Sequence, residues 1–185
     1  MKSRVINPAE AKCVEKHLAN DKDGMIKLLC QVMRVAGLRV SDACNLKFSD
    51  IDGNILCVVE QKTGKSKQVV LPVQLVNAIA KRQKAHPDET YVFVSAYNRK
   101  CGKDKPVSRR YVLDSIKKAA KDAGVKGQVS PHSFRKCAGT EVYKRTGNDI
   151  IAAQKFLNHS SPVVTMVYLA VNQEAIDNVT ANMLL

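Results

Sequence analysis

Two closely spaced turn signals constrain the fold of this chain more than any other feature of its sequence. Ile51-Asp52-Gly53-Asn54 and Lys62-Thr63-Gly64-Lys65 both combine glycine with polar residues that favour a reversal of the backbone. The apolar residues 55–59 between them have the length of a strand, and residues 67–71 return as another strand that ends at Pro72. The pattern predicts a three-stranded antiparallel sheet with a lysine-rich tip.

Helical patterns surround this sheet on both sides. Asn7-Pro8 has the sequence of an N-cap followed by proline at the first helical position, and the pattern continues to about Leu18. A second helix is predicted from about Asp23 to Ala36, with Gly37 at its end.

Later elements are indicated by further capping residues. Ser41 or Asp42 is expected to cap a short helix, and Asn148 to cap residues 149–156. Residues 98–106 are expected to form a flexible basic loop. The remaining predicted helices cover residues 73–84, 108–122, 131–145, 161–168 and 172–184. The sequence therefore predicts one α+β domain over residues 1–185 that is mainly helical and contains one small sheet.

The chain is strongly basic, and its charge is concentrated in one segment. It carries 30 Lys and Arg against 17 Asp and Glu, a formal net charge of +13. Residues 99–145 hold 14 basic and only 4 acidic side chains, a net of +10. A field of this sign favours polyanions such as nucleic acid or an anionic membrane surface. No apolar run approaches the roughly 18 residues of a membrane span, so we expect nucleic acid, no membrane and a cytoplasmic location.

The six cysteines do not form a metal-binding or disulfide pattern. They are scattered, with no C-x-x-C pair and no secretory signal. Several lie among apolar neighbours, where reduced cysteine is an ordinary core residue. No two Cys or His residues have the paired spacing of zinc ligands. We therefore expect neither a metal nor a cofactor.

Six side chains suited to phosphate chemistry lie mostly at turns and helix starts rather than inside apolar stripes. His132 and Arg135 are three positions apart at the start of a predicted helix, so they share one face. Two arginines, two histidines, a lysine and a tyrosine fit a phosphodiester better than the acid–base site of a protease. The six candidates are Arg39, Lys62, His132, Arg135, His159 and Tyr168.

Four short motifs that carry these residues resemble those of one family. Gly37-Leu38-Arg39-Val40-Ser41-Asp42 resembles the first-arginine box of the tyrosine recombinase, or phage integrase, family, and Gln61-Lys62-Thr63-Gly64-Lys65 resembles its β-hairpin lysine. Ser130-Pro131-His132-Ser133-Phe134-Arg135 resembles its H-x-x-R box, and Leu157-Asn158-His159-Ser160-Ser161 with Tyr168 resembles its final His…Tyr segment. One box alone is weak, but six positions in the right order over nearly the whole chain are specific. The resemblance implies the catalytic-domain fold of a tyrosine recombinase.

The resemblance also implies site-specific DNA recombination through a covalent intermediate. Tyr168 would attack a scissile phosphate and form a 3′-phosphotyrosyl bond, which a 5′-hydroxyl of another strand then attacks. Arg39 and Arg135 would stabilise the crowded, more negative transition state through paired N–H donors. His159 would donate a further hydrogen bond to the same phosphate. Neither ATP nor a metal is needed, because the phosphotyrosyl bond stores the energy of the broken phosphodiester.

Two more residues are expected to move protons. A tyrosine hydroxyl has a pKa of about 10, so the nucleophile has to lose its proton during the attack. His132 is the expected base, and Lys62 is the expected acid for the departing 5′-hydroxyl. Lys65 is the alternative to Lys62 in the hairpin.

The chain departs from the family pattern in three places. Asn158 stands where the family has glycine, although asparagine tolerates the left-handed backbone of such a turn. Ser41-Asp42 replaces the family's serine-glutamate. We also expect the family's separate N-terminal core-binding domain to be absent, which would make the chain either a fragment or a short member that resembles the fimbrial inversion recombinases.

Double-stranded DNA is the expected partner. The expected contact residues, lysines for the backbone and arginines at a helix start for bases, are Lys65, Lys100, Lys103, Lys105, Arg109 and Arg110. The resemblance implies a homotetramer on DNA in which helix 172–184 docks on a neighbouring protomer. The alternatives are packing of that helix on its own domain and, without DNA, a monomer. Accessory DNA-bending proteins could take part.

Three other functions remain open. They are a DNA-binding regulator with an inactive recombinase fold, DNA relaxation like that of a type IB topoisomerase, and RNA cleavage by His132 and His159. A covalent protein–DNA adduct separates them, because the regulator and the ribonuclease form none. The topoisomerase forms an adduct but exchanges no strands between duplexes.

Overall fold

Residues 3–18 and 24–169 are described by the computed structural model of the chain. They fall into two compact units, the first ending at Ala138 and the second beginning at Gly139. Each unit contains its own cluster of buried apolar side chains. The predicted class, mainly helical with a small antiparallel sheet, is confirmed.

Apart from a 3-10 turn and one short helix, the elements follow the order that the sequence patterns predict. In the described ranges they are α1 (Pro8–Leu18), α2 (Met25–Ala36), α3 (Val40–Cys44), a 3-10 turn (Phe48–Asp50), β1 (Ile51–Asp52), β2 (Ile55–Val59), β3 (Ser66–Val70), α4 (Val73–Ala85), α5 (Ala96–Lys100), α6 (Arg109–Asp122), α7 (Pro131–Arg145), α8 (Ile150–Leu157) and α9 (Pro162–Leu169). The predicted helix 172–184 lies outside the described residues. Each helix in these ranges is too short or too polar to cross a lipid bilayer.

The three strands form the predicted antiparallel meander, with β2 in the middle. Leu56 of β2 lies opposite Ile51 of β1 and Val69 of β3. Gly53 has a φ of 57°, and the tight turn between β1 and β2 needs this conformation, which side chains other than glycine rarely adopt. β3 begins at Ser66, one residue earlier than predicted. Residues 60–65 therefore form the tip of the second hairpin.

Helix α2 lies at the centre of the first unit's core. Its predicted apolar stripe is fully buried and consists of Ile26, Leu29, Cys30 and Met33. The helix ends where Gly37 adopts a left-handed φ of 60°, and Arg39 follows two residues later. The predicted cap of α1 is also present: Asn7 Oδ1 accepts from the backbone N–H of Glu10 at 2.8 Å.

The predicted cap of α3 is wrong. Arg39 occupies the N-cap position, and both Ser41 and Asp42 lie inside the helix. Asp42 is the third residue of the helix, and its Oδ1 accepts a hydrogen bond from the backbone N–H of Gln61 at 3.0 Å. A contact with the hairpin tip has replaced the local contact.

Two further local predictions are corrected. Asp149, not Asn148, caps α8, because its carboxylate accepts from two backbone N–H groups while Asn148 adopts a left-handed φ of 65°. Residues 98–106 are not a loop throughout, since α5 includes residues up to Lys100. The hydroxyl of Ser95 accepts from the backbone N–H of Asn98 at 3.2 Å and so starts this short helix.

In the second unit, α8 and α9 pack against the C-terminal part of α7. Leu157 and Leu169 belong to the buried cluster of this unit. A Cβ atom at Gly139 of α7 would lie 2.7 Å from Leu157 Cδ1 and 2.9 Å from Leu169 Cδ2. Glycine therefore lets the backbone of α7 approach two leucines that hold α8 and α9.

We expect Gly139→Val to destabilise the second unit, since its branched side chain has to displace two buried leucines. Overpacking of this kind costs about 1–3 kcal/mol. Lys144→Val, at an exposed position of the same helix, is the matched control and should change the free energy of unfolding by less than about 0.5 kcal/mol. Urea unfolding followed by circular dichroism measures both. Equal effects would contradict the packing requirement.

Candidate active site

Two of the predicted arginines meet at one buried carboxylate, that of Glu60. Nη1 of Arg39 lies 2.6 Å from Glu60 Oε2, and Nη1 of Arg135 lies 3.7 Å from Glu60 Oε1. The Glu60 side chain is completely buried, whereas 16% of the Arg39 side chain is exposed. One anion therefore holds two guanidinium groups next to each other.

The arginines reach this point from two helix starts. Arg39 directly precedes α3, and Arg135 lies in the first turns of α7. Arg135 also donates a hydrogen bond to the carbonyl of Gly37. Its side chain is only 2% exposed, so these contacts replace water around its charge. Removing one partner of such a buried ion pair typically costs about 3–5 kcal/mol.

Opposing effects act on the protonation of Glu60. Burial by itself would raise the pKa of Glu60. The interactions with the side chains of Arg39 and Thr63, and the charges of Arg39 and Arg135, outweigh burial and hold the pKa of Glu60 below its ordinary value. Glu60 is therefore a carboxylate at neutral pH and balances part of the arginine charge.

The hairpin tip is tied to this charge cluster by side chains and backbone. Thr63 Oγ1 donates to Glu60 Oε2 at 2.9 Å, and the N–H of Gly64 donates to the Glu60 carbonyl at 2.8 Å. Asp42, which is buried, accepts from the N–H of Gln61 at 3.0 Å. Lys62 lies between these two ties and is exposed.

His132, the second residue of α7, lies in a strongly positive environment. Desolvation lowers the pKa of His132, although the side chain is exposed overall, and nearby cations lower it further. Those cations are Arg135, Lys136, Arg39 and Lys62. Their repulsion disfavours the imidazolium form, so the ring is neutral at neutral pH and can accept a proton.

Lys67 belongs to the same charge cluster and was missed by the sequence prediction. Its side chain is buried, in contrast to the exposed Lys62 and Lys65 of the tip. Desolvation and the charges of Arg135 and Arg39 lower the pKa of Lys67 to about 7, against the opposing influence of its acidic neighbours Glu60 and Asp42. A proton equilibrium near neutral pH is therefore built into the site.

The sequence did contain a signal for Lys67. Successive residues of a strand face opposite sides, so Lys67, Val69 and Leu71 lie on one face. Val69 packs against the core and Leu71 is buried. A lysine in an otherwise apolar inward series indicates a buried charge with a partner. Glu60, beyond the end of β2, gave no comparable signal.

His159 and Tyr168 lie together in the second unit. Their rings meet edge to face, with centroids 5.0 Å apart and an interplanar angle of 84°. His159 Nδ1 forms a hydrogen bond with the hydroxyl of the buried Thr165 at 3.1 Å, which fixes the orientation of the imidazole. The predicted left-handed backbone of Asn158 is present, with a φ of 53°. The turn before His159 thus forms without glycine.

The predicted DNA-contact residues all lie on the surface. Exposed side chains are found at Lys65, Lys100, Lys103, Lys105, Arg109 and Arg110. Arg110 pairs with Asp114 one turn further along α6, at 2.7 Å. Both partners are largely exposed, so this pair adds little to stability and leaves Arg110 available to a ligand.

Comparison with known proteins identifies the family. The model of the phage integrase family matches residues 5–175. The chain belongs to this family, and the resemblance found in its sequence motifs is confirmed.

A relative and two solved structures illustrate the similarity. The chain is 31% identical to the probable integrase/recombinase YoeC of Bacillus subtilis over 140 residues, which cover 75% of this chain and 74% of YoeC. Its fold matches the crystal structure of XerA recombinase with a TM-score of 0.76 and 26% identity, over 97% of this chain and 63% of that one. The structure of a lambda integrase tetramer bound to a Holliday junction matches with a TM-score of 0.73 and 20% identity, over 91% of this chain and 48% of the integrase chain.

These similarities confirm the predicted catalytic-domain fold of tyrosine recombinases. The chain spans only about half the length of most curated relatives that it matches, between 45% and 60% of each apart from YoeC. The comparisons thus establish the family and the fold of this chain, and not the activity of the longer relatives.

Lys67 should make the stability of the first unit depend on pH. In the unfolded chain the amine has its ordinary pKa of 10.5, against about 7 in the fold. Between these values the unfolded state binds more protons, so the free energy of unfolding rises with pH and is lowest below the folded pKa. Each unit of pKa shift corresponds to about 1.4 kcal/mol.

We expect Lys67→Met to flatten this rise, because methionine has a similar length and no titratable group. Lys65→Met, which removes an exposed lysine of the tip, should leave the slope unchanged. Urea unfolding near the two ends of the pH window measures the slope. A wild-type slope that persists in Lys67→Met would contradict the assignment.

Proposed function

We propose that this chain cuts and rejoins DNA strands in site-specific recombination, through a 3′-phosphotyrosyl intermediate. The observation that carries the proposal is the meeting of Arg39 and Arg135 at one buried carboxylate, because adjacent guanidinium groups suit a phosphodiester. Membership of the phage integrase family and similarity to XerA recombinase support it. Residues 1–185 would form the catalytic domain of such an enzyme.

Tyr168 is the proposed nucleophile. Its phenol oxygen attacks phosphorus, and the bond between phosphorus and the 5′-oxygen breaks. The phenol proton passes to a base, and the leaving 5′-oxygen takes a proton from an acid. The phosphate remains esterified throughout, so a 5′-hydroxyl of another strand can reverse the step without ATP or water.

Arg39 and Arg135 would bind the non-bridging oxygens of that phosphate. Negative charge increases in the transition state, and fixed N–H donors stabilise it without having to reorganise. Lysine could not replace them, because its ammonium group lacks the planar pair of donors. Glu60 keeps the two guanidinium groups adjacent before DNA binds.

The remaining roles concern protons and one hydrogen bond. His132 is the proposed base, and its lowered pKa keeps the ring in the accepting form. Lys62 is the proposed acid, with Lys65 as the alternative at the same tip. His159, whose ring is oriented by Thr165, is the proposed donor to the phosphate.

Double-stranded DNA is the proposed substrate and a homotetramer on DNA the proposed assembly. The net positive charge and the exposed basic residues of the segment 99–145 support the first. The assembly rests on similarity to lambda integrase, which is a tetramer when bound to a Holliday junction. A cytoplasmic location and accessory DNA-bending proteins stay predictions.

The rival functions are less well supported. An inactive regulator would not need all six candidate residues, and all six are present in this chain. The relatives are named as recombinases and integrases, which favours strand exchange over topoisomerase-like relaxation. RNA cleavage by two histidines would need no arginine pair.

Covalent trapping tests the proposed function. Wild type incubated with supercoiled plasmid and quenched with detergent should yield protein-linked DNA, and Tyr168→Phe should yield none, because it lacks the attacking oxygen. Tyr143→Phe, which removes a hydroxyl elsewhere in the second unit, is the matched control and should retain the adduct. Tight DNA binding by wild type without any adduct would instead favour the regulator.

The proposed DNA contacts predict two different phenotypes. Lys103→Ala should weaken binding to all sequences and reduce the slope of log affinity against log salt by about 0.9, the value for one phosphate contact. Arg109→Ala should change which plasmid positions are cleaved, because Arg109 is proposed to contact DNA bases. Lys84→Ala, an exposed lysine outside the basic segment, is the control and should change neither. Equal behaviour of all three variants would contradict the assignment.

A further inference from the structure

The side chain of Glu60 contacts two parts of the proposed site at once. One carboxylate oxygen, Oε2, lies 2.6 Å from Arg39 Nη1 and accepts from Thr63 Oγ1 at 2.9 Å. The other oxygen faces Arg135 at 3.7 Å. The arginine pair and the hairpin tip are therefore joined through one buried group.

The tip is held on both sides of Lys62. On one side, Gln61 donates its N–H to the buried carboxylate of Asp42. On the other, Thr63 donates its hydroxyl to Glu60. The backbone of Glu60 closes the turn, since its carbonyl accepts from Gly64 at 2.8 Å and its N–H donates to Lys65 at 3.0 Å. Lys62 thus projects from a backbone that is fixed relative to Arg39 and Arg135.

We propose that Glu60 and Thr63 are positioning residues that set Lys62 against the phosphate held by Arg39 and Arg135. The inference rests on the proposed function and adds to it the reason why a lysine on an exposed turn can act as an acid. Lysine has a long flexible side chain, so the placement of its backbone decides how often the ammonium group reaches the leaving oxygen.

The surroundings of His132 support Lys62, rather than a neighbouring lysine, as the positioned acid. Lys62 is close enough to His132 to lower the pKa of that histidine. Lys65, whose backbone N–H lies 3.4 Å from Thr63 Oγ1, is not among the cations that lower the pKa of His132, and Lys67 is buried in β3. A loss of the Thr63 hydroxyl should therefore act on proton transfer by Lys62 and leave phosphate binding by the arginines intact.

The test compares two leaving groups on one DNA duplex. The duplex spans the strongest plasmid position cleaved by the full wild-type chain, with either oxygen or sulfur as the 5′-leaving atom. A thiol has a pKa of about 8.5, so sulfur leaves as a thiolate and needs no acid, whereas oxygen needs a proton. A defect in positioning the acid should therefore appear with oxygen and disappear with sulfur.

We expect Thr63→Val, which keeps the shape but removes the hydroxyl, to slow cleavage of the oxygen duplex by at least about 10-fold, since a positioned acid contributes about 10²–10⁴-fold. The sulfur duplex should be cleaved at the wild-type rate. Thr63→Ser, which restores the hydroxyl, should rescue the oxygen reaction. Arg135→Lys should slow both reactions, because it removes transition-state stabilisation.

Every other outcome overturns the inference. Equal slowing of the two duplexes by Thr63→Val would mean a general loss of structure, and unchanged rates would mean that the hydrogen bond positions nothing. Faster amide exchange at residues 61–65 in Thr63→Val is also required, and unchanged exchange would refute the tie. If wild type forms no covalent adduct on plasmid, the proposed function fails and the inference fails with it. If wild type cleaves and only the sulfur comparison fails, the proposed function stands.

Discussion

Two arginines can lie side by side inside this fold because the carboxylate of Glu60 lies between them. Arg135 is almost fully buried and Arg39 largely so, and water therefore does little to screen their mutual repulsion. Glu60 offsets part of their charge and still leaves the pair attractive to another anion. The end of α2, the hairpin tip and the start of α7 are all needed to bring these three side chains together.

The same excess of positive charge has a second effect, on protons. Desolvation is the main cause that lowers the pKa of His132 and of Lys67, and the positive charges of Arg135 and Arg39 lower both further. A phosphate bound there would add negative charge, which favours the protonated forms of both groups. A local excess of positive charge thus favours the binding of an anion and, together with burial, weakens proton binding by the neighbouring side chains.

Local backbone preferences made much of the fold predictable. Gly37, Gly53 and the Asn7-Pro8 start fix their turns and helix ends with little help from the rest of the chain. The candidate site residues could be predicted because their motifs occur together in the order of the family, although one motif alone is weak. Glu60 could not be found, since its importance lies in contacts with residues far away in the sequence.

The roles of Asp42 and Lys67 also depend on contacts that local sequence preferences do not reveal. Asp42 is a residue type that often caps helices, but it lies inside α3 and its carboxylate accepts from the N–H of Gln61 in the hairpin tip. Lys67 was predicted as the first residue of a strand but not as a site residue. Its alternation with Val69 and Leu71 separates it from the other lysines of the hairpin once the strand register is considered.

That register limits how the hairpin can vary. Val59 pairs with Ser66 and Val58 with Lys67, so the tip has a fixed number of residues between two ladders. An added residue that shifted this pairing by one position would turn the inward face of β3 outward, and one taken up by the tip would displace Thr63 relative to Glu60. The identity of an exposed tip residue can change at little cost to the fold, whereas the length of the tip is set by the buried charges beneath it.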